Sequence, residues 1–98
     1  MQVLRYEYSA EGEVPRPVHV GVVSSGDLEI LLEPSPDQRS HVLVTTSVEG
    51  FERAWENVLE RFFLRFRLAA SIEINDFGAT PGTVMLRLLQ AAEDVRGK

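Results

Sequence analysis

From Gln2 to Tyr8 the chain alternates, with Leu4, Tyr6 and Tyr8 on one side and Val3, Arg5 and Glu7 on the other. A period of two is that of a half-buried strand. Val18 to Val23 is β-branched, Leu28 to Glu33 alternates through Leu28, Ile30 and Leu32, and His41 to Val48 is rich in Val and Thr. These runs predict three more strands. Ser9 to Pro17, holding Gly12 and Pro15, and Ser35 to Ser40 read as loops. Pro34 and Pro36 end the third strand, because proline cannot donate to a ladder.

The period then changes. Phe51, Trp55, Val58, Leu59, Phe62, Phe63 and Phe66 fall on one face of a helix, with Arg53, Glu56, Asn57, Glu60, Arg61 and Arg65 on the other. Each fully buried side chain of this kind contributes roughly 1.5–3 kcal/mol, so the stripe is expected to be a main source of core energy. Thr46 with Glu49 three residues on has the form of a capping box. Ala70 to Asn75 alternates again and predicts a fifth strand, and Asp76 to Gly82 a turn. Thr80 suits a helix N-cap and Pro81 the first helical position. Val84 to Val95 suits a closing helix, ended by Gly97. The expected fold is α+β: an about five-stranded, mostly antiparallel or mixed sheet with two helices packed on one face, in the order ββββαβα.

A length of 98 residues allows one domain, 1–98, with one modest core. With 44% hydrophobic and 26% charged residues the composition is that of an ordinary globular chain. No apolar run approaches the roughly 20 residues of a membrane span, and no signal peptide is visible, so a cytoplasmic location is expected. A net charge of −5, with Lys98 the sole lysine, argues against nucleic-acid binding. The two histidines, His19 and His41, lack neighbours at metal-ligand spacing, so no metal site is expected. The arginines on the first helix, Arg53, Arg61, Arg65 and Arg67, read as a solvated face or as a surface for an acidic partner. There is no cysteine, which excludes disulfides and cysteine nucleophiles. No nucleophile–base pair or phosphate loop is visible either, so a small enzyme is the least expected reading.

Ser24-Ser25-Gly26-Asp27 separates the second and third strands and reads as a hairpin turn whose tip faces solvent. The stretch Ser24-Ser25-Gly26-Asp27-Leu28-Glu29-Ile30-Leu31-Leu32-Glu33-Pro34 resembles the acyl carrier (delta) subunits of bacterial malonate decarboxylase. So do Thr46-Ser47-Val48 and Ile74-Asn75-Asp76-Phe77-Gly78-Ala79-Thr80-Pro81-Gly82 followed by Leu86-Arg87-Leu88. The three segments come in the same order and at similar spacing. A more distant resemblance is to the citrate lyase acyl carrier (gamma) subunit, which shares Ser-Gly-Asp before an apolar strand.

The resemblance implies a non-catalytic carrier. Ser25 would hold a 2'-(5''-phosphoribosyl)-3'-dephospho-CoA arm through a phosphodiester, with acetyl and malonyl groups carried as thioesters on the arm's thiol while malonate is converted to acetate and CO2. The implied partners are an acyl-transferase subunit, malonyl-thioester decarboxylase subunits and a prosthetic-group transferase. The lack of cysteine agrees, since the thiol must then come from an attached group. Ser24 is the adjacent alternative, and shaping the turn is the plainer role for Ser25. Gly26 and Asp27 support the turn. Asp76, Gly78 and Thr80 are candidates for an arm or partner contact at a helix N-terminus, or else a strand exit and helix cap. Two other functions stay open: a carrier in a citrate lyase-like complex, and an unmodified assembly subunit. Modification of Ser25 would separate the last from the carriers.

Overall fold

The computed structural model describes residues 1–97. The alternating runs become strands β1 (Gln2–Ser9), β3 (Val18–Gly21), β4 (Leu28–Pro34), β5 (Arg39–Thr46) and β6 (Leu68–Asp76). The helical stripe becomes α1 (Glu52–Phe63), and the closing helix is α2 (Pro81–Val95). The class is α+β, as the pattern predicts. A further two-residue strand, β2 (Gly12–Glu13), lies inside the stretch read as a loop. It pairs in parallel with the first residues of β6, Gly12 with Leu68 and Glu13 with Ala69. That end of β6 reaches past the pairing of β4, which stops at Ala70.

The sheet runs β1-β5-β6-β4-β3 and is mixed. β1 with β5, β4 with β6 and β3 with β4 are antiparallel, whereas β5 and β6 are parallel neighbours. Parallel neighbours need a crossover connection, and α1 supplies it. Both helices lie on one face of the sheet. Leu28, Ile30, Leu32, Val42, Val44, Ile72 and Ile74 point into a single core with Leu59, Phe62 and Phe63 of α1 and Val84, Leu88 and Ala92 of α2. Tyr8 stacks on Phe63 with ring centroids 4.4 Å apart, closing the β1 side. Burial, with Glu60 nearby, pushes its hydroxyl up to about 12.

Several boundaries differ from the pattern. β3 stops at Gly21, leaving Val22 and Val23 outside the sheet at 55% and 61% exposure. α1 stops at Phe63, and Phe66 is buried beyond its end. The capping box on Thr46 does not form. α1 is preceded by Phe51 with no side-chain cap, and the Thr46 hydroxyl serves other partners. At α2 the reading holds: Thr80 accepts from the Thr83 N–H, Pro81 opens the helix and Gly97 follows its end with positive φ.

Candidate functional site

The apolar run through β4 and the early end of β3 leave a six-residue connection, Val22 to Asp27. Its tip is a β-turn. The Asp27 N–H donates to the Ser24 carbonyl at 3.1 Å, with Ser25 and Gly26 as the central residues. Gly26 has φ +80° and Ser25 does not, which is the type II pattern. The connection is therefore wider than a two-residue hairpin turn. It is held from below, because the Gly26 N–H donates to the Phe77 carbonyl at 2.8 Å and the Phe77 N–H to the Asp27 carbonyl at 2.9 Å. These bonds tie the turn to the segment leaving β6.

Side chains complete the anchor. Asp27 accepts from its neighbour Leu28 N–H at 2.7 Å and forms a two-pronged ion pair with Arg87 of α2, at 2.7 and 3.2 Å. The Arg87 bonds, followed by the Leu28 N–H, hold the Asp27 carboxyl below the usual carboxylate range. Arg87 is braced in turn by Gln90 at 3.1 Å. Ser25 is exposed on the turn that this frame fixes. A Cβ added at the neighbouring Gly26 would meet nothing within 4 Å, so the turn is open on the glycine's side. An exposed hydroxyl, a turn open on that side and a fixed backbone fit a residue modified by a large enzyme with a bulky group.

Asp76 ends β6 and is buried at 4% exposure. One carboxylate oxygen accepts from the Ala79 N–H at 3.0 Å, the other from the Thr46 hydroxyl at 2.8 Å. Both oxygens are thus committed to joining β5, β6 and the approach to α2. Gly78, with φ +98°, comes against the serine turn: a Cβ there would lie 3.9 Å from the Gly26 nitrogen. Thr80 caps α2. Ser25, Gly26, Asp27 and Gly78 therefore share one neighbourhood, with Asp76 beneath it.

The sequence assigns no role to Arg87 or Phe77, and marks Thr46 only as half of a capping box, not as the partner of Asp76. Arg87 lies in a segment that carries the resemblance, but nothing in the pattern links it to a carboxylate sixty residues away. Phe77 acts through its backbone, which side-chain pattern does not report. The two histidines sit on the uncovered face of the sheet. His19 bonds Glu29 at 2.9 Å, and His41 spends its ring nitrogens on Asp37 at 2.9 Å and Glu7 at 3.3 Å. Among the described residues, no helix is long and apolar enough to cross a membrane.

The malonate decarboxylase delta subunit (MdcD) family matches residues 15–95. The malonate decarboxylase acyl carrier proteins of Azotobacter vinelandii and Stutzerimonas stutzeri are each 46% identical over 96 residues, which is 97% of this chain and 97% of theirs. A chain in the crystal structure of a Pseudomonas malonate decarboxylase hetero-tetramer in complex with malonate superposes with a TM-score of 0.92 at 43% identity, covering 97% of this chain and 99% of that one. The chain belongs to the malonate decarboxylase acyl carrier, or delta subunit, family.

Proposed function

We propose that the chain is the acyl carrier of a malonate decarboxylase complex and that Ser25 is its attachment point. Its partners there would be acyl-transferase and decarboxylase subunits, with a dedicated transferase installing the prosthetic group. When bound, phosphoribosyl-dephospho-CoA would supply the thiol that a chain without cysteine lacks. The cargo would alternate between acetyl and malonyl. The partner enzymes would exchange acetyl for malonate, releasing acetate, and would then remove CO2 with uptake of a proton, supplying the acids and bases. The bound group would supply the thioester carbonyl that stabilises charge on the α-carbon.

The chain's own residues present and tether. The observation that carries this reading is the exposed Ser25 hydroxyl on a turn pinned by Phe77 and by the Asp27–Arg87 pair. A fixed, accessible hydroxyl suits modification by a separate enzyme, and both histidines are paired elsewhere, His19 with Glu29 and His41 with Asp37. Tethering turns successive encounters into effectively intramolecular ones.

Intact mass of the protein from its native host, followed by peptide mapping across 21–39, tests the proposal. The expected result is a mass gain of one phosphoribosyl-dephospho-CoA on Ser25. Ser25→Ala is expected to fold normally and stay bare, while Ser24→Ala is still loaded. A bare native chain within an active complex overturns the carrier reading in favour of an assembly subunit.

A further inference from the structure

A second feature opens beside the serine turn. Between the N-terminal ends of α1 and α2 lies a pocket of about 280 Å³, walled by Phe51, Ala54, Trp55, Val58, Ala79 and Val84. Gly78 lines it and also comes against Gly26, so the segment 77–79 is both a wall of the pocket and the support of the turn. Phe51 stands at the pocket with half its surface in solvent. The volume lies just below the ~300–1,000 Å³ of sites for drug-sized ligands, so it suits the end of a chain rather than a whole cofactor.

Its chemistry is selective. Asp76 is the sole ionisable residue among those lining the pocket, and both its oxygens already accept bonds. Among the described residues, no arginine lines the space. Thr83 N–H, in the first turn of α2, serves Thr80, and Ala79 N–H, just before that helix, serves Asp76. An uncharged acyl end finds apolar contact there. A carboxylate would lose its water, would meet no cationic side chain among the described lining residues and would lie beside the Asp76 carboxylate.

Resting on the carrier reading above, we propose that this pocket binds the acetyl-thioester end of the group on Ser25 and rejects the malonyl form. The charge of the cargo then decides its place. The acetyl form lies against Trp55, shielded from water, and the malonyl form stays in solvent for the decarboxylating partner.

Trp55 is the chain's single tryptophan and reports occupancy directly. The experiment uses carrier from its native host, prepared with free thiol, acetyl or malonyl. Emission of Trp55 and methyl-to-indole NOEs are read first, and then cleavage of the thioester by hydroxylamine. Acetylation is expected to shift the emission and to give NOEs. It should also slow cleavage about tenfold relative to S-acetyl-N-acetylcysteamine, as exclusion of water and nucleophile requires. The malonyl form should match the free thiol. Ala54→Phe, which fills the pocket, should lose the protection while its mass still shows the group on Ser25, and Ala54→Leu gives the same reading if the larger side chain prevents folding. Acetyl carrier indistinguishable from the free thiol overturns the pocket. Equal effects of acetyl and malonyl overturn the selection by charge. A bare Ser25 instead overturns the carrier reading on which the pocket's role rests, so the failures are distinct.

Discussion

Asp76 is a buried carboxylate at the junction of β5, β6 and α2, with a hydroxyl and a backbone N–H each spending a donor on it. Buried donors deprived of an acceptor cost about 1–3 kcal/mol each. Asp76→Ala is therefore expected to destabilise the fold by roughly 2–4 kcal/mol, after some relaxation towards water. Urea unfolding of the variant measures this. If Asp76 acts through packing, loading of Ser25 should fall only in proportion to the unfolded fraction. Ser25 is the opposite kind of residue, since its side chain is exposed and its removal touches no packing. Between them stands Asp27, whose pair with Arg87 ties the turn to a helix remote in sequence. Of these, Ser25 and Asp76 were legible as candidates because their segments carry a resemblance. The Arg87 partner was not, because an ion pair between distant elements leaves no periodic trace.

At the scale of elements, two glycines divide the work of the connection between β3 and β4. Both have positive φ, +88° at Gly21 and +80° at Gly26. A Cβ on Gly21 would overlap the Leu28 carbonyl oxygen, whereas one on Gly26 would meet open space. Gly26→Ala is expected to cost only the left-handed strain of about 1–2 kcal/mol. Gly21→Ala adds backbone overlap and should cost about 2–5 kcal/mol. Thermal unfolding of the two variants should rank them in that order, and equal losses would contradict the close approach at Gly21. The same glycine explains why β3 stops before Val22 and Val23. Their β-branched side chains suit a strand, but the backbone has already turned at Gly21 and left them without a partner. Likewise β2 forms because tertiary placement brings Gly12 and Glu13 beside the free end of β6, not because two residues carry a strand signal.

At the scale of the whole molecule, three carboxylates among the described residues are held below their ordinary values. They are Asp27 by Arg87, Glu29 by His19 and then Asn75, and Asp37 by His41 and then the Arg39 N–H. A carboxylate that is more acidic when folded binds fewer protons in the folded state than in the unfolded one. Its stabilisation is complete above the unfolded value and is lost as pH falls through the folded one. The loss should begin below 4.5 for Glu29 and below 3.8 for the two aspartates. Urea midpoints measured down this range are expected to fall. Asp27→Asn should flatten the part of the fall below 3.8, because the amide does not titrate. An unchanged slope in that variant would show that the Asp27–Arg87 pair does not couple to folding.

The sequence by itself determined the period of each long element, the side each strand buries, the cap of α2 and the exposed serine turn. Each is a local matter: side-chain spacing sets which face is apolar, and Thr80-Pro81 and Ser-Gly-Asp bond or bend their own backbone. The order strand, helix, strand around α1 also held the cue for the one long parallel pair, β5 with β6, in a sheet that is otherwise mainly antiparallel, as expected. Only the tertiary structure decided that β6 lies between β5 and β4, that Phe77 and Arg87 pin the turn, and that an apolar pocket opens beside Gly78. Those features join residues far apart along the chain, and they exist only once the helices have packed on one face of the sheet and brought its loops together.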